Sequence, residues 1–167
     1  MDTDSIIQII CIILLLAMSA FFSSAETSFV TVNKIKIRSL IDKGNKRAVI
    51  VDKIINNSGK MLSTILIGNN IVNLSASAIS TSLVIRLFGN YATGIATGII
   101  TVLVLIFGEI SPKNAATVHA EKIALAYAPV INTLMVIFTP VIFIIDHLSG
   151  FVLKLLKVDP KNNKKTI

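Results

Sequence analysis

The sequence predicts an all-α integral membrane protein with three transmembrane helices and short helices on the cytoplasmic side. Three observations predict it. Hydrophobic residues make up 53% of the chain and charged residues only 15%, against about 25% charged in a soluble domain. Mean hydropathy is +0.79. The charges are clustered, leaving long uncharged runs between them. A net charge of +7 could point to nucleic acid, but the positive residues sit in loops between apolar runs, the pattern of retention on the cytoplasmic face.

The first apolar run is Ile6 to about Val30. A helix needs about 20 residues to cross the hydrocarbon core, and Ile6–Phe22 reaches that length only with Ser23, Ser24, Glu26 and Thr27 counted in. Polar groups therefore lie within the membrane. Met1-Asp2-Thr3-Asp4 is acidic, unlike a signal-peptide n-region, so this helix is expected to be retained. Cys11 sits inside the run without an intrachain partner and reads as a small packing residue.

Residues 31–60 carry Lys34, Lys36, Arg38, Lys43, Lys46, Arg47, Lys53 and Lys60 against Asp42 and Asp52. Apolar residues at Ile35, Leu40, Ile41, Val49, Ile50 and Ile54 predict two short amphipathic helices, broken near Gly44-Asn45, lying on the inner surface. The second span runs from Met61 to about Leu87, and a turn at Phe88-Gly89-Asn90 leads to the third, from Tyr91 to about Ser111. With the 31–60 loop in the cytoplasm, the N-terminus and the Gly89 turn are outside and Lys113 is inside.

The segment from Ile123 to about Leu153 is long and apolar enough to cross. A fourth crossing would, however, put Lys154, Lys157, Lys161, Lys164 and Lys165 outside. Pro129 and Pro140 also interrupt it. It is read as a broken helix along the inner interface, with Asp146 and His147 as interfacial anchors. The basic tail 154–167 and the C-terminus are then cytoplasmic.

Ionisable and polar residues inside spans face a bundle interior or a water-filled path. Ser19 and Ser23 share one helix face; either they bond carbonyls one turn back or they face an ion. Asn69 and Asn73 are also four apart, with Asn70 between them and Gly68 beside them. They read as interhelical glue or as two amide-oxygen ligands. In Gly108-Glu109-Ile110-Ser111-Pro112, Pro112 has no N–H to give the Gly108 carbonyl. A freed carbonyl then lies beside a carboxylate, as in broken-helix transporters; the alternative pairs Glu109 with Lys113 at the membrane boundary. Glu26 either completes the site or pairs with a loop lysine. Gly94-x-x-x-Gly98 permits close backbone approach, between two copies or within one.

These groups offer only oxygen ligands, which disfavours zinc, copper and iron and favours Mg²⁺, Ca²⁺, Na⁺ or Mn²⁺. No nucleophile–base pair occurs in the motifs, so an enzyme is not expected.

The order Ser19-x-x-x-Ser23-x-x-Glu26-Thr27, Leu66-Ile67-Gly68-Asn69-Asn70-Ile71-Val72-Asn73 and Phe107-Gly108-Glu109-Ile110-Ser111-Pro112-Lys113 resembles the transmembrane domain of the CorC/CNNM family of magnesium transporters, over about residues 5–150. The resemblance implies three membrane helices, a juxtamembrane belt helix, a homodimer in the plasma membrane, and Mg²⁺ transport, outward and Na⁺-coupled. It assigns the ion site to Ser19, Ser23, Asn69, Asn73, Gly108 and Glu109. The other class of function open to such a site is a Mg²⁺ sensor or scaffold that binds without transport. Relatives usually continue into a nucleotide-binding CBS pair. The chain given stops at Ile167, past Asp159-Pro160, so ATP regulation is not expected of this membrane part, whether excised or a short stand-alone form.

Overall fold

The computed structural model describes residues 3–89 and 93–155, with side chains up to Gly150. The chain starts of the third span at Tyr91 and most of the basic tail, 156–167, lie outside the described residues. Among those described, the chain is all-helical: α1 (Thr3–Thr31), α2 (Lys34–Asp42), α3 (Lys46–Asn56), α4 (Ser58–Phe88), α5 (Thr93–Val104), a π-helical segment (Leu105–Ile110), α6 (Ser111–Val118), α7 (Ala120–Ile137) and α8 (Thr139–Leu155).

α1 and α4 are antiparallel neighbours. Asp4 pairs with Arg86 at 2.9 Å, Gln8 donates to Ser82 at 3.4 Å, and Ser19 donates to Asn73 at 2.8 Å. Gly68 makes this approach possible, because a Cβ there would stand 2.4 Å from the Phe22 ring. The third long helix runs parallel to α1: Ser19 lies by Gly108 and Glu26 by Lys113.

The break expected near Gly44-Asn45 is present. Gly44 has φ +80°, and the Asn45 side chain accepts from the N–H groups of Arg47 and Ala48 at 2.9 and 3.2 Å, capping α3. Asn33 caps α2 in the same way. The buried stripe differs from the expected one. Ile37, Ala48, Val51, Ile54 and Ile55 face the core, while Ile35 and Val49 are exposed. Both helices carry apolar residues on more than one face, so periodicity alone did not choose between them.

The third span does not stop at Pro112. The helical path continues to Val118, and Pro112 lies in the first turn of α6, where its fixed φ suits the helix and its missing N–H leaves only the Gly108 carbonyl without a donor. The adjustment is made just before it, in the π segment, where the Ser111 N–H reaches Ile106 O, five residues back.

Four helical stretches are long and apolar enough to cross a membrane: Thr3–Thr31, Ser58–Phe88, Thr93–Val118 and Ala120–Ile137. The 123–153 segment is broken as expected, at Phe138, just before Pro140. Pro129, by contrast, is accommodated inside α7. α7 packs Ala124, Ala128, Ile131 and Met135 into one core with Phe22, Ala25 and Phe29 of α1, Ile37 of α2, Ile54 of α3 and Ile65 of α4.

Candidate ion site

The middle of α1, the middle of α4 and the π segment meet around a chain of polar contacts. Ser19 Oγ, 1% exposed, donates to Asn73 Oδ1 at 2.8 Å and faces the Gly108 carbonyl at 3.4 Å. A hydroxyl has one proton, so the short contact is the bond and the long one an approach. Asn73 Nδ2 donates to Glu109 Oε1 at 2.9 Å. The carboxylate can only accept, which fixes the amide orientation: nitrogen toward Glu109, oxygen toward Ser19.

Each element has a local reason to present its group. Pro112 cannot donate to Gly108 O, so that carbonyl is released from the α-helical ladder, and the π segment turns it toward α1. The lack of a side chain at Gly108 keeps this approach close, since a Cβ would lie 3.0 Å from Ser19 Oγ and 3.3 Å from Leu16 Cδ1, and those side chains would have to give. Asn69 and Asn73 face the bundle on one stripe of α4, whereas Asn70, a third of a turn away, is exposed.

Ser23 and Asn69 lie one helical turn from Ser19 and Asn73, both toward the α2–α3 end. Ser23 is fully buried, yet its Oγ has no hydrogen-bond partner, and neither does the buried Asn69 Oδ1. Unpartnered buried oxygens are uncommon and costly. Back-bonding to carbonyls, the alternative for Ser19 and Ser23, is found instead at Ser24, Thr27 and Ser28.

Glu26 pairs with Lys113 at 3.2 Å, with both side chains about two-fifths exposed. This removes Lys113 as the partner of Glu109. Asp146 and His147 are exposed on α8, with the His147 ring 4.5 Å from that of Phe143. Cys11 is half-buried. Among the described residues no three His, Cys, Asp or Glu side chains converge, so the centre rests on one carboxylate and neutral oxygens.

Sequence reasoning missed the continuation of this polar stripe. A cavity of about 200 Å³ adjoins Asn73 and Glu109 and is lined further by Ser77, Ser80, Thr97 and Thr101. The signal was available: Ser77 and Ser80 stand four and seven residues after Asn73, on the same face.

The Cyclin M transmembrane N-terminal domain family matches residues 10–167. The chain belongs to the CorC/CNNM family. Among its CorC/CNNM relatives is a UPF0053 protein of Haemophilus influenzae, 39% identical over 161 residues, covering 95% of this chain and 37% of that protein. The UPF0053 inner membrane protein YfjD of Escherichia coli is 33% identical over 140 residues, covering 84% and 33%. A Haemophilus influenzae protein named polyamine export protein is 28% identical over 163 residues, covering 90% and 38%. The chain thus spans about a third of the length of these relatives.

Proposed function

We propose that this CorC/CNNM membrane domain carries Mg²⁺ across the plasma membrane through the centre formed by Ser19, Ser23, Asn69, Asn73, Gly108 and Glu109, with outward movement coupled to Na⁺. The observation that carries this reading is the pair of buried, unpartnered oxygens, Ser23 Oγ and Asn69 Oδ1, one turn from Ser19 and Asn73, whose amide donates to the Glu109 carboxylate. The Asn73 amide and the Ser19 hydroxyl give positive hydrogen to oxygens of the kind a cation would bind. An oxygen-only set suits a hard cation. One carboxylate leaves Mg²⁺ with a residual charge but neutralises Na⁺, so a single pocket is able to take both in turn.

Three crossings fit the charges: α1, α4 and the α5–α6 helix span, the N-terminus and Gly89 lie outside, and the C-terminus is cytoplasmic. α7 and α8 are then a juxtamembrane belt. In support, α7 shares its core with the cationic α2–α3 pair, which the positive-inside rule keeps on the inner face. A homodimer is supported by two exposed small residues on α5: a Cβ on Gly94 or Gly98 would meet nothing within 4 Å, so a second helix can approach closely there.

Mg²⁺ flux into proteoliposomes containing an indicator dye tests the proposal, comparing wild type with Glu109→Ala, with and without a Na⁺ gradient. Flux that disappears in the variant supports transport through Glu109, and dependence on the gradient supports coupling. A folded wild type that binds Mg²⁺ but passes none would favour the sensor or scaffold role. The polyamine export relative gives a second reading of the cargo. An alkylammonium head has three N–H donors, which Glu109, Asn73 and Ser19 could accept. Competition by spermidine for Mg²⁺ flux would favour it.

A further inference from the structure

The cavity beside Glu109 is separate from the Ser19–Gly108 side of the centre but shares Asn73 and Glu109 with it. It leads away from the packed α2–α3 end. Ser77 and Ser80 lie about 6 and 10 Å beyond Asn73 along α4, taking 1.5 Å per residue. Thr101 and Thr97 extend the opposite wall along α5 toward the same end. Ser80 is only 3% exposed, yet its Oγ has no partner. A buried serine acting as interhelical glue would be bonded; this one stands in the cavity wall with its hydroxyl unspent.

We infer that this cavity is a water-filled outer vestibule, in which a hydrated divalent cation meets or leaves the Glu109–Asn73 centre. The inference rests on the reading of that centre as a cation site. The size agrees. About 200 Å³ holds roughly six or seven waters at about 30 Å³ each, and Mg²⁺ sheds its octahedral shell of about six reluctantly. Four hydroxyls in the wall can bond the waters of an ion, while Ile100, Val104 and Leu105 make up the rest of it and bind none. An ion stripped at Glu109 thus regains its shell stepwise along Ser77, Thr101, Ser80 and Thr97 rather than in one costly event.

Two measurements test this. The first is Mg²⁺ flux in the double variant Ser80→Val, Thr97→Val, alongside Mg²⁺ protection against thermal unfolding. The vestibule predicts flux lowered about tenfold, the scale of one or two lost hydrogen bonds, with the half-saturating Mg²⁺ concentration for protection unchanged. Glu109→Ala, by contrast, removes protection altogether. Unchanged flux in the double variant, or protection lost as in Glu109→Ala, overturns the vestibule. The second measurement needs no transport. Ser80→Cys in a Cys11→Ala background is treated in whole cells with a membrane-impermeant cationic thiol reagent. Modification that Mg²⁺ slows supports a wet, outward-opening cavity. No modification from outside, or modification only in inside-out vesicles, overturns it. If the wild type binds Mg²⁺ but carries no flux, the transport reading fails by itself and the labelling alone decides the vestibule.

Discussion

At the α2–α3 end of the bundle, Phe22, Ile54, Ile65 and Ile131 are each no more than 4% exposed and belong to one core drawn from five helices. On α5 no residue is buried, and Ile95 and Ile99 are 75% and 58% exposed. Both regions are apolar, so the difference lies in packing rather than composition. Lipid tails are as apolar as Ile, and an exposed Ile on a membrane helix is not penalised as it would be in water. The packed end holds α1 and α4 in register and so fixes Ser19, Ser23, Asn69 and Asn73. Gly108 and Glu109 arrive on the π segment, which together with α6 packs against α1; only α5, ahead of it, is loosely held. Elements with few packed contacts open at low free-energy cost, so α5 is the part of the third helix best placed to move without disturbing the core.

The strongest way to break this contrast is to cut equally at both ends. Ile131→Ala removes a fully buried side chain where α7 meets the core and is expected to cost about 2–5 kcal/mol. Ile99→Ala on α5 should cost less than about 0.5 kcal/mol. Denaturation in mixed micelles, followed by circular dichroism, measures both; equal losses would mean that α5 is packed after all, by a second copy.

Next comes Glu109→Gln. The glutamine amide oxygen can still accept from Asn73, so the network and the metal-free fold should survive. The charge does not. Mg²⁺ protection should weaken about 100-fold, the order of one charged interaction, in the same thermal assay. A parallel fall in metal-free stability would show that Glu109 is structural rather than a ligand.

A smaller effect tests the packed end itself, where α1 meets α4. Gly68→Ala pushes a methyl into the Phe22 ring and should cost about 1–2 kcal/mol as overpacking. Adding Phe22→Leu should recover much of it, because contacting residues couple.

The parts of this molecule legible in the sequence were those fixed by local chemistry. The Gly44-Asn45 break, the Gly89 turn with its φ of +70°, and the residues of the polar centre all announce themselves by residue type and spacing. Four-residue spacing put Asn69 and Asn73 on one face, and the missing Pro112 N–H singled out Gly108. What could not be read was set by neighbours. The choice between Ile35 and Ile37 as the buried position of α2 depends on where α3 lies. The π segment depends on how the helix absorbs Pro112 while keeping Gly108 against Ser19; a kinked stop and a π turn satisfy the same sequence. The cavity at Ser80 was overlooked because Ser75–Ser80 reads equally well as a stripe of small packing residues.

The smallest effect sharpens the comparison most cleanly, because it weakens the packed end without touching the centre. Asn45 accepts two backbone N–H groups at the start of α3, and α3 carries Val51 and Ile54 into the core. Asn45→Ala leaves those donors to water and should lower stability by about 1 kcal/mol, while Asn45→Asp should restore most of it. Neither change should alter the Mg²⁺ concentration needed for half-protection, since the cap acts on folded and ion-bound protein alike. A shift in that concentration with Asn45→Ala would mean that the packed end is not a passive anchor and that ion binding at Glu109 reaches α3 through the core.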